Sequence, residues 1–474
     1  MKPYYQAPDG VLYQGDVLTV LRDLEADSVQ CCVTSPPYWG LRDYKTTPSV
    51  WGGIPACNHE WVEYIQPAAD GTRTPEGNSA LRAGHQGSTS ATMKPQSSGF
   101  CTKTGCFGWR GNLGLEPTID MFVEHMVEVF RDVRRVLRND GTLWLNLGDS
   151  YNSLASNQNG TGLTTLEGGT GKIRAGNALM GRRFRPGAGR ADGVVDERGQ
   201  RNRNGVSCAE LKPKDLCMVP ARVALALQSD GWWLRAEVTW CKTSPMPESV
   251  TDRPTSATEK IFLFTKSSRY YYDAEAVKQS SVSDHPSGNG FKRDCRLSYD
   301  GRGQDEQWQP TPQRNLWNYW VLGPEPCKEA HFATFPSEIP RRAILAGTSE
   351  RGCCPECGGP WVRVVEKSGG TIGKGSWCDH VDDLVTGARV QDSAGKGNLR
   401  YSDYKVQATG WQPTCTHDLP SVPCVVLDPF VGSGTSCAIA RGLGRKWIGI
   451  DLSPAYLELA RKRVEAVSLP MWVV

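Results

Sequence analysis

Two short segments near opposite ends of this 474-residue chain constrain its fold more than any other feature. Residues 34–39 (TSPPYW) directly follow an apolar run at 29–33, and residues 428–435 (DPFVGSGT) directly follow another at 424–427. Such runs are typical of buried strands, and an open α/β sheet holds its ligands at the carboxyl ends of its strands. We therefore predict an α/β fold in which both segments border one crevice, although about 390 residues separate them in the chain.

The late segment has the features of a nucleoside-binding turn. Gly432 and Gly434 let the backbone approach a ligand closely, and the helix predicted over 435–443 aims its amide groups at that ligand. The next predicted strand, 446–450, ends at Asp451, which lies 17 residues after Gly434. A carboxylate at about this distance along the chain holds a ribose hydroxyl in dinucleotide-binding folds.

The same turn departs from two phosphate-binding motifs. Position 437 is a cysteine, so the dinucleotide fingerprint GxGxxG is incomplete, and no Gly-Lys-Ser/Thr follows as in a P-loop. A nucleoside without a phosphate chain therefore fits this turn better than a dinucleotide or a nucleoside triphosphate.

The early segment supplies groups suited to chemistry on an amino group. Pro36 and Pro37 fix φ and remove two backbone donors, which leaves the local carbonyls free to accept hydrogen bonds. Ser35 adds a side-chain acceptor, and Tyr38 offers a face on which a base can stack. Two acceptors that hold the hydrogens of a nucleobase amino group would localise its lone pair for attack. The alternative interpretation is a Pro-Pro turn that merely closes a strand.

These residues carry a resemblance to a known family. Segments 35–38 (SPPY) and 428–435 (DPFVGSGT) resemble catalytic motif IV and cofactor motif I of the amino-group DNA methyltransferases, which use S-adenosylmethionine. In the β class of that family motif IV precedes motif I, which is the order in this chain. Further segments are similar to later strands of the fold and to its motif X: 141–151, 232–242 and 259–266 for the strands, and 331–336 for motif X.

The resemblance implies a circularly permuted Rossmann-like methyltransferase sheet with inserted zinc-binding and DNA-recognition segments. Because the ends of a chain commonly lie close together, a doubly wound sheet tolerates such a permutation. We divide the chain into the N-terminal half of the methyltransferase domain (1–150, with a candidate zinc insertion at 51–110), a basic insertion (151–210), a continuation of the sheet (211–273), a candidate target-recognition region (274–330), a motif X segment (331–352), a candidate zinc insertion (353–420) and a cofactor-binding half (421–474).

The resemblance also implies a mechanism and a set of site residues. A base is flipped out of the duplex, Tyr38 stacks on it, and Ser35 with the Pro36 carbonyl holds its amino hydrogens, Pro37 completing the rigid turn. Catalysis then rests on positioning and electrostatics, without a covalent enzyme intermediate. The residues expected to bind the cofactor are Asp428, Phe430, Gly432, Gly434, Thr435, Asp451, Phe335 and Pro336.

The identity of the substrate stays open at this point. Serine at the first position of the motif is more usual in the cytosine-N4 enzymes of the family, so we favour cytosine, and adenine N6 is the alternative. Further alternatives are an RNA or protein-glutamine methyltransferase, in which that position is typically Asn or Asp, and a non-catalytic zinc-bearing DNA-binding protein.

The spacing of the cysteines indicates structural zinc. Seventeen cysteines in a chain without a secretion signal do not suit a disulfide framework, whereas sets of four thiolate and imidazole ligands suit tetrahedral zinc. Cys378 and His380 are alternative partners in the second set, and free thiols are the alternative for both. The two predicted sets are Cys57, His59, Cys101 and Cys106, and Cys354, Cys357, Cys415 and His417.

The charge pattern indicates where double-stranded DNA would bind. The net charge is only +3, so DNA binding must depend on local patches. Residues 172–203 carry nine basic and three acidic side chains in a Gly- and Asn-rich context, and we expect Arg182, Arg183 and Arg185 to contact phosphates. The alternative is a solvated insertion without contact to DNA.

Composition favours a cytoplasmic enzyme. No apolar run approaches the length of a membrane span, and the first residues (MKPYYQAPDG) lack the apolar segment of a signal peptide. We therefore expect no membrane contact. The enzyme either has a cognate restriction endonuclease as a partner or acts without one. The sequence determines neither this nor the oligomeric state.

Overall fold

The computed structural model describes residues 2–40, 44, 46–61, 64–65, 97–152, 211–212, 214–280, 313–325, 335–368 and 405–470. Arg182, Arg183 and Arg185, together with the alternative ligands Cys378 and His380, lie outside these residues.

The described residues form seventeen strands and six α-helices. The strands are β1 (Tyr5–Ala7), β2 (Gly10–Gln14), β3 (Val29–Thr34), β4 (Ser49–Trp51), β5 (Tyr64–Ile65), β6 (Ser97–Phe100), β7 (Trp109–Gly111), β8 (Leu137–Leu147), β9 (Trp233–Lys242), β10 (Thr258–Thr265), β11 (Gln279–Ser280), β12 (Gln313–Arg314), β13 (Tyr319–Leu322), β14 (Trp361–Ser368), β15 (Lys405–Pro413), β16 (Val425–Asp428) and β17 (Lys446–Asp451). The helices are α1 (Val17–Asp23), α2 (Ile119–Val136), α3 (Val219–Ser229), α4 (Glu338–Gly347), α5 (Thr435–Gly442) and α6 (Pro454–Glu465).

Nine strands form one mixed sheet in the order β1, β2, β17, β16, β3, β8, β10, β9, β13. The five consecutive strands from β2 to β8 in this order are parallel to one another, and β1 is antiparallel to β2. Strand β10 runs antiparallel to both β8 and β9, and β13 is parallel to β9. The last two strands of the chain, β16 and β17, therefore lie between β2 and β3, which come from its first 34 residues.

Helices cover both faces of this sheet. Helices α1, α2 and α3 pack on one face and bury Phe122 and Phe130, whereas α4, α5 and α6 pack on the other with Trp447. The face covered by α1, α2 and α3 holds the first core, and the opposite face holds the second core. Because successive side chains of a strand point to opposite faces, Cys32 belongs to the first core and Cys31 to the second. None of the helices in the described ranges is long and apolar enough to span a membrane.

Side-chain caps set the beginnings of three helices. Thr118 accepts a hydrogen bond from the Met121 amide at the start of α2, and Ser453 does the same for Tyr456 at the start of α6. Asp16 accepts from the Thr19 amide at the start of α1. These caps satisfy amide groups that have no partner within the helix.

Smaller sheets lie in the segments predicted as insertions. Strands β4, β7, β6 and β5 form a four-stranded sheet across the 51–110 segment, and β14 pairs with β15 within 353–420. Strand β13 lies in the 274–330 segment that we predicted to recognise the target, yet it pairs with β9. That segment therefore also extends the main sheet.

Candidate active site

The two segments singled out in the sequence lie side by side at the carboxyl end of the parallel strands. Residues 35–38, the catalytic turn, follow β3, and residues 428–435, the glycine turn, begin at the end of β16. The two strands are neighbours, with Leu427 paired to Cys32. The Thr34 hydroxyl donates a hydrogen bond of 2.7 Å to Asp428 Oδ1, which ties the two turns together.

Backbone amides in and beside the glycine turn bind two carboxylates, the buried Asp428 and the half-buried Asp451. The Phe430 amide donates to Asp428 Oδ1 at 3.1 Å, and the Gly432 amide donates to Asp451 Oδ2 at 3.0 Å. The Ser453 amide donates to Asp451 Oδ1 at 2.8 Å. Each oxygen of Asp451 therefore keeps a lone pair for a further donor, such as a ribose hydroxyl.

The conformation of the glycine turn requires its glycines. Gly432 and Gly434 have φ of 49° and 83°, a region that other residues seldom adopt. A Cβ at Gly434 would lie 2.7 Å from the Ala460 Cα on α6. From the same helix, the Arg463 guanidinium donates to Thr435 Oγ1 at 2.7 Å and to Ser433 Oγ at 3.1 Å, which holds the start of α5.

Burial changes the acidity of both carboxylates. Removal from water raises the pKa of Asp428 to about 6, and hydrogen bonds from Thr34 and Ser436 only partly oppose this shift. Burial likewise raises the pKa of Asp451 to about 6 against the hydrogen bonds from Ser453 and Gly432. Two carboxyls that titrate near neutrality at strand ends are typical of a functional site.

The catalytic turn is anchored by the two residues that follow it. Trp39 is buried, and its indole donates a 3.0 Å hydrogen bond to the Glu116 carbonyl. The Gly40 amide donates to the Gly114 carbonyl at 2.7 Å, and Gly114 also packs against the Pro37 side chain. These contacts fix the backbone of the Pro-Pro turn, while Ser35 remains half-buried at its start.

The Tyr38 hydroxyl is the centre of a hydrogen-bond network. It donates to Glu259 Oε2 at 2.6 Å and accepts from Asn146 Nδ2 at 2.8 Å and from the Ser35 hydroxyl at 3.1 Å. Burial and the Glu259 carboxylate raise the pKa of Tyr38 well above its usual value. The ring lies on the backbone of Gly148, where a Cβ would come within 2.6 Å of Cε2.

Sequence reasoning missed three members of this network. Asn146, Lys242 and Glu259 lie in segments that we identified only as strands, and Lys242 Nζ is 2.6 Å from Glu259 Oε1. Because β10 runs antiparallel to β8, the beginning of β10 reaches the edge at which β3 and β16 end. Lys242 and Glu259 are charged residues near strand ends, but whether such residues reach the catalytic turn depends on strand direction.

Phe335 and Pro336, expected at the cofactor by resemblance to motif X, immediately precede α4. Phe335 packs half-buried against the second core, and Pro336 is buried. Helix α4 contacts α5, the helix that begins at Thr435, so both residues belong to the half of the fold that carries the glycine turn.

Cys57, His59, Cys101 and Cys106 form a compact group, named here the N-terminal cluster. Their ligand atoms all lie within 4.8 Å of one another. The sulfurs of Cys57 and Cys101 are 3.9 Å apart, and Cys106 Sγ lies 3.4 Å from His59 Nδ1. A tetrahedral zinc ion requires about 3.8 Å between two sulfurs and about 3.5 Å between sulfur and nitrogen, so the donor set fits zinc.

Cys354, Cys357, Cys415 and His417 form a second group, named here the C-terminal cluster. Their ligand atoms also lie within 4.8 Å of one another, with Cys354 Sγ at 3.5 Å from His417 Nδ1. The structure thus brings together both predicted sets of four. Each set offers four thiolate and imidazole donors, the number and the ligand types of a structural zinc site.

Comparisons with known proteins agree with this arrangement. The family model described as DNA methylase, of the N6/N4 type, matches residues 29–354 and 424–462. The Type II methyltransferase M.Cfr9I of Citrobacter freundii is 29% identical over 454 residues, which cover 96% of this chain and 87% of that protein. The Type II methyltransferase M.XycI of Xanthomonas campestris pv. cyanopsidis is 28% identical with the same coverage.

A solved structure was also found. The cytosine-N4-specific PvuII DNA methyltransferase aligns with a TM-score of 0.42 and 13% identity, covering 98% of this chain and 91% of that one. The family match spans more than half of the chain and includes both the catalytic turn and the glycine turn. This chain belongs to the N6/N4 family of DNA methylases.

Proposed function

We propose that this protein transfers a methyl group from S-adenosylmethionine to the exocyclic amino group of a base flipped out of double-stranded DNA. The observation that carries the proposal is the hydrogen bond of 2.7 Å from Thr34 to Asp428. It holds a turn suited to an amino group and a turn suited to a nucleoside at one edge of one sheet.

The residues of the glycine turn fit the proposed cofactor. Gly432 and Gly434 expose backbone to a ligand, and Asp451 keeps acceptor capacity for a ribose. Asp428, Phe430 and Thr435 would border the same site. When bound, the cofactor would supply the methyl group: the nitrogen–carbon bond would form as the sulfur–carbon bond breaks, S-adenosylhomocysteine would be released, and one amino hydrogen would pass to water as a proton.

The catalytic turn would hold the target base. Ser35 and the Pro36 carbonyl would accept hydrogen bonds from the amino hydrogens, and the Tyr38 ring would stack on the base. The base must leave the duplex because its amino nitrogen is not accessible for in-line attack within the stack. Ser35 favours cytosine N4 as the target, and adenine N6 is the alternative.

We further propose that the motif order reflects a circular permutation of the sheet. Its support is the position of β16 and β17, from the end of the chain, between β2 and β3. Zinc in both Cys/His clusters would cross-link and stabilise the inserted segments. Arg182, Arg183 and Arg185 would bind DNA phosphates, which predicts affinity that falls steeply with salt.

Methylation with isotope-labelled cofactor tests the proposal. We expect label in duplex DNA, and nucleoside mass spectrometry should find N4-methylcytosine, whereas N6-methyladenine would support the alternative base. RNA and protein substrates assayed in parallel would detect the other candidate activities. Absence of transfer to DNA by protein that binds the cofactor would contradict the proposal, and full activity of the Ser35→Ala/Tyr38→Ala variant would contradict the site.

A further inference from the structure

The Glu259 carboxylate collects three hydrogen-bond donors beside the catalytic turn. Lys242 Nζ lies 2.6 Å from Oε1, while the Tyr38 hydroxyl and Asn146 Nδ2 lie 2.6 Å and 3.0 Å from Oε2. The Glu259 side chain is only 13% exposed, so these contacts are largely shielded from water. A carboxylate accepts hydrogen bonds and donates none, which fixes the direction of all three.

This direction determines where the hydrogens of the network lie. Tyr38 has one hydroxyl hydrogen, and it is used in the short bond to Glu259. The Tyr38 oxygen can then only accept, and its two donors are Asn146 Nδ2 at 2.8 Å and the Ser35 hydroxyl at 3.1 Å. The amide nitrogen of Asn146 must face Glu259, because the amide oxygen would meet another acceptor there.

The consequence for Ser35 is a defined role. A free serine hydroxyl can present either its hydrogen or its lone pairs to a ligand. Here the Ser35 hydrogen points at Tyr38, and Asn146 Nδ2 approaches the Ser35 oxygen at 3.5 Å, so the remaining lone pair of that oxygen is left for another donor. An amino group that is to be methylated offers hydrogens, and only the lone-pair side of Ser35 can bind them.

We propose that Glu259 is a positioning residue that acts through Tyr38 to orient the Ser35 hydroxyl as an acceptor for the target amino group. The inference rests on the proposed function and specifies how its site is prepared. Lys242 keeps the carboxylate paired, and Asn146 holds the Tyr38 oxygen in place. The relay therefore runs from Glu259 through Tyr38 to Ser35.

A double-mutant cycle tests the relay, because residues that act through one another are not additive. Glu259→Ala should lower kcat about 10- to 100-fold, the effect of losing one charge-assisted hydrogen bond. Tyr38→Phe keeps the ring but removes the middle of the relay. In that background Glu259→Ala should lower kcat by less than about threefold, because Ser35 no longer depends on Glu259.

Controls separate positioning from folding. S-adenosylmethionine affinity, measured by calorimetry, should be unchanged in every variant; if Glu259→Ala fails this test, the near-isosteric Glu259→Leu replaces it in the cycle. Glu237→Ala is the matched control, since it breaks an exposed ion pair with Lys260 on the neighbouring strand. It should keep the kcat of the unmodified protein.

The outcomes distinguish the relay from the proposed function. The relay would be overturned if Glu259→Ala lowered kcat equally in the presence and absence of the Tyr38 hydroxyl. It would also be overturned if Glu259→Ala left kcat unchanged in both backgrounds. Absence of methyl transfer to DNA by the unmodified protein would instead overturn the proposed function before the cycle begins.

Discussion

Asp451 shows how one carboxyl would couple cofactor binding to pH. Its folded-state pKa of about 6 lies above the ordinary value of 3.8, because burial penalises the charge. Ionisation of Asp451 therefore destabilises the folded state. The free energy of unfolding falls as the pH rises from about 4 to about 6. Cofactor binding should show the opposite trend, because the ionised carboxylate is the better acceptor for ribose hydroxyls.

We expect the affinity for S-adenosylmethionine to fall about tenfold per pH unit below about 6. Calorimetric titrations at several pH values would measure this dependence. The Asp451→Asn variant should bind more weakly at neutral pH and lose most of the dependence. An unchanged pH profile in that variant would exclude Asp451 as the titrating group and direct attention to Asp428, whose pKa is also raised to about 6.

Gly148 controls the position of the Tyr38 ring. A methyl group at this position would lie 2.6 Å from Tyr38 Cε2, so Gly148→Ala must displace the ring. Because small displacements of catalytic groups are costly, we expect kcat to fall about 100-fold while cofactor affinity is retained. The matched control is Gly410→Ala, whose Cβ would meet no atom within 4 Å. Normal turnover by Gly148→Ala would show that the observed ring position is not required.

At the scale of elements, the C-terminal cluster is attached to the catalytic sheet. Arg138, on β8, donates a hydrogen bond to the Cys357 carbonyl and forms an ion pair with Asp140. The Gln30 side chain of β3 accepts from the Val425 amide at 2.6 Å. The cluster thus lies beside the strands that carry both turns, where a bound metal would brace them.

We expect two zinc ions per chain, one in each cluster. Cys354→Ser should remove one and Cys106→Ser the other, because each variant leaves an incomplete tetrahedron. Atomic absorption on the purified proteins would measure the content. Cys217→Ser, which changes a buried thiol outside both clusters, should retain two. Protein expressed in zinc-supplemented medium that contains no zinc would contradict the metal assignment.

At the scale of the whole molecule, the sheet depends on both ends of the chain. Strands β16 and β17 fill the gap between β2 and β3, so deletion of residues 421–474 would leave each of these two strands without one of its two partners. We expect that truncation to abolish cooperative thermal unfolding, measured by circular dichroism, because the core is interrupted.

A shorter truncation provides the control. Ending the chain after Ser468 retains α6 and the 2.8 Å bond from Arg441 Nε to the Val467 carbonyl, and it should unfold as the full chain does. A cooperative transition in the longer deletion would mean that residues 1–420 fold alone.

Much of the site could be predicted because its signals are local. Short stretches of sequence suffice to recognise the glycines at 432 and 434, the acidic ends of two strands and the Pro-Pro turn. The Cys-x-His pairs repeat one spacing. Glu259 and Asn146 carried no such signal. Each is one of several polar residues in its strand, and its contact with Tyr38 spans more than 100 residues along the chain.

The sequence by itself determined the strands that lead into the two turns, which turns can bind ligands and which cysteines can share a metal, because these properties follow from residue type and spacing over short distances. Only the tertiary structure decided that β10 runs against β8 and so brings Glu259 to the edge where Ser35 and Asp428 lie. Strand direction and order depend on how the whole core packs, and no short stretch of the chain encodes them.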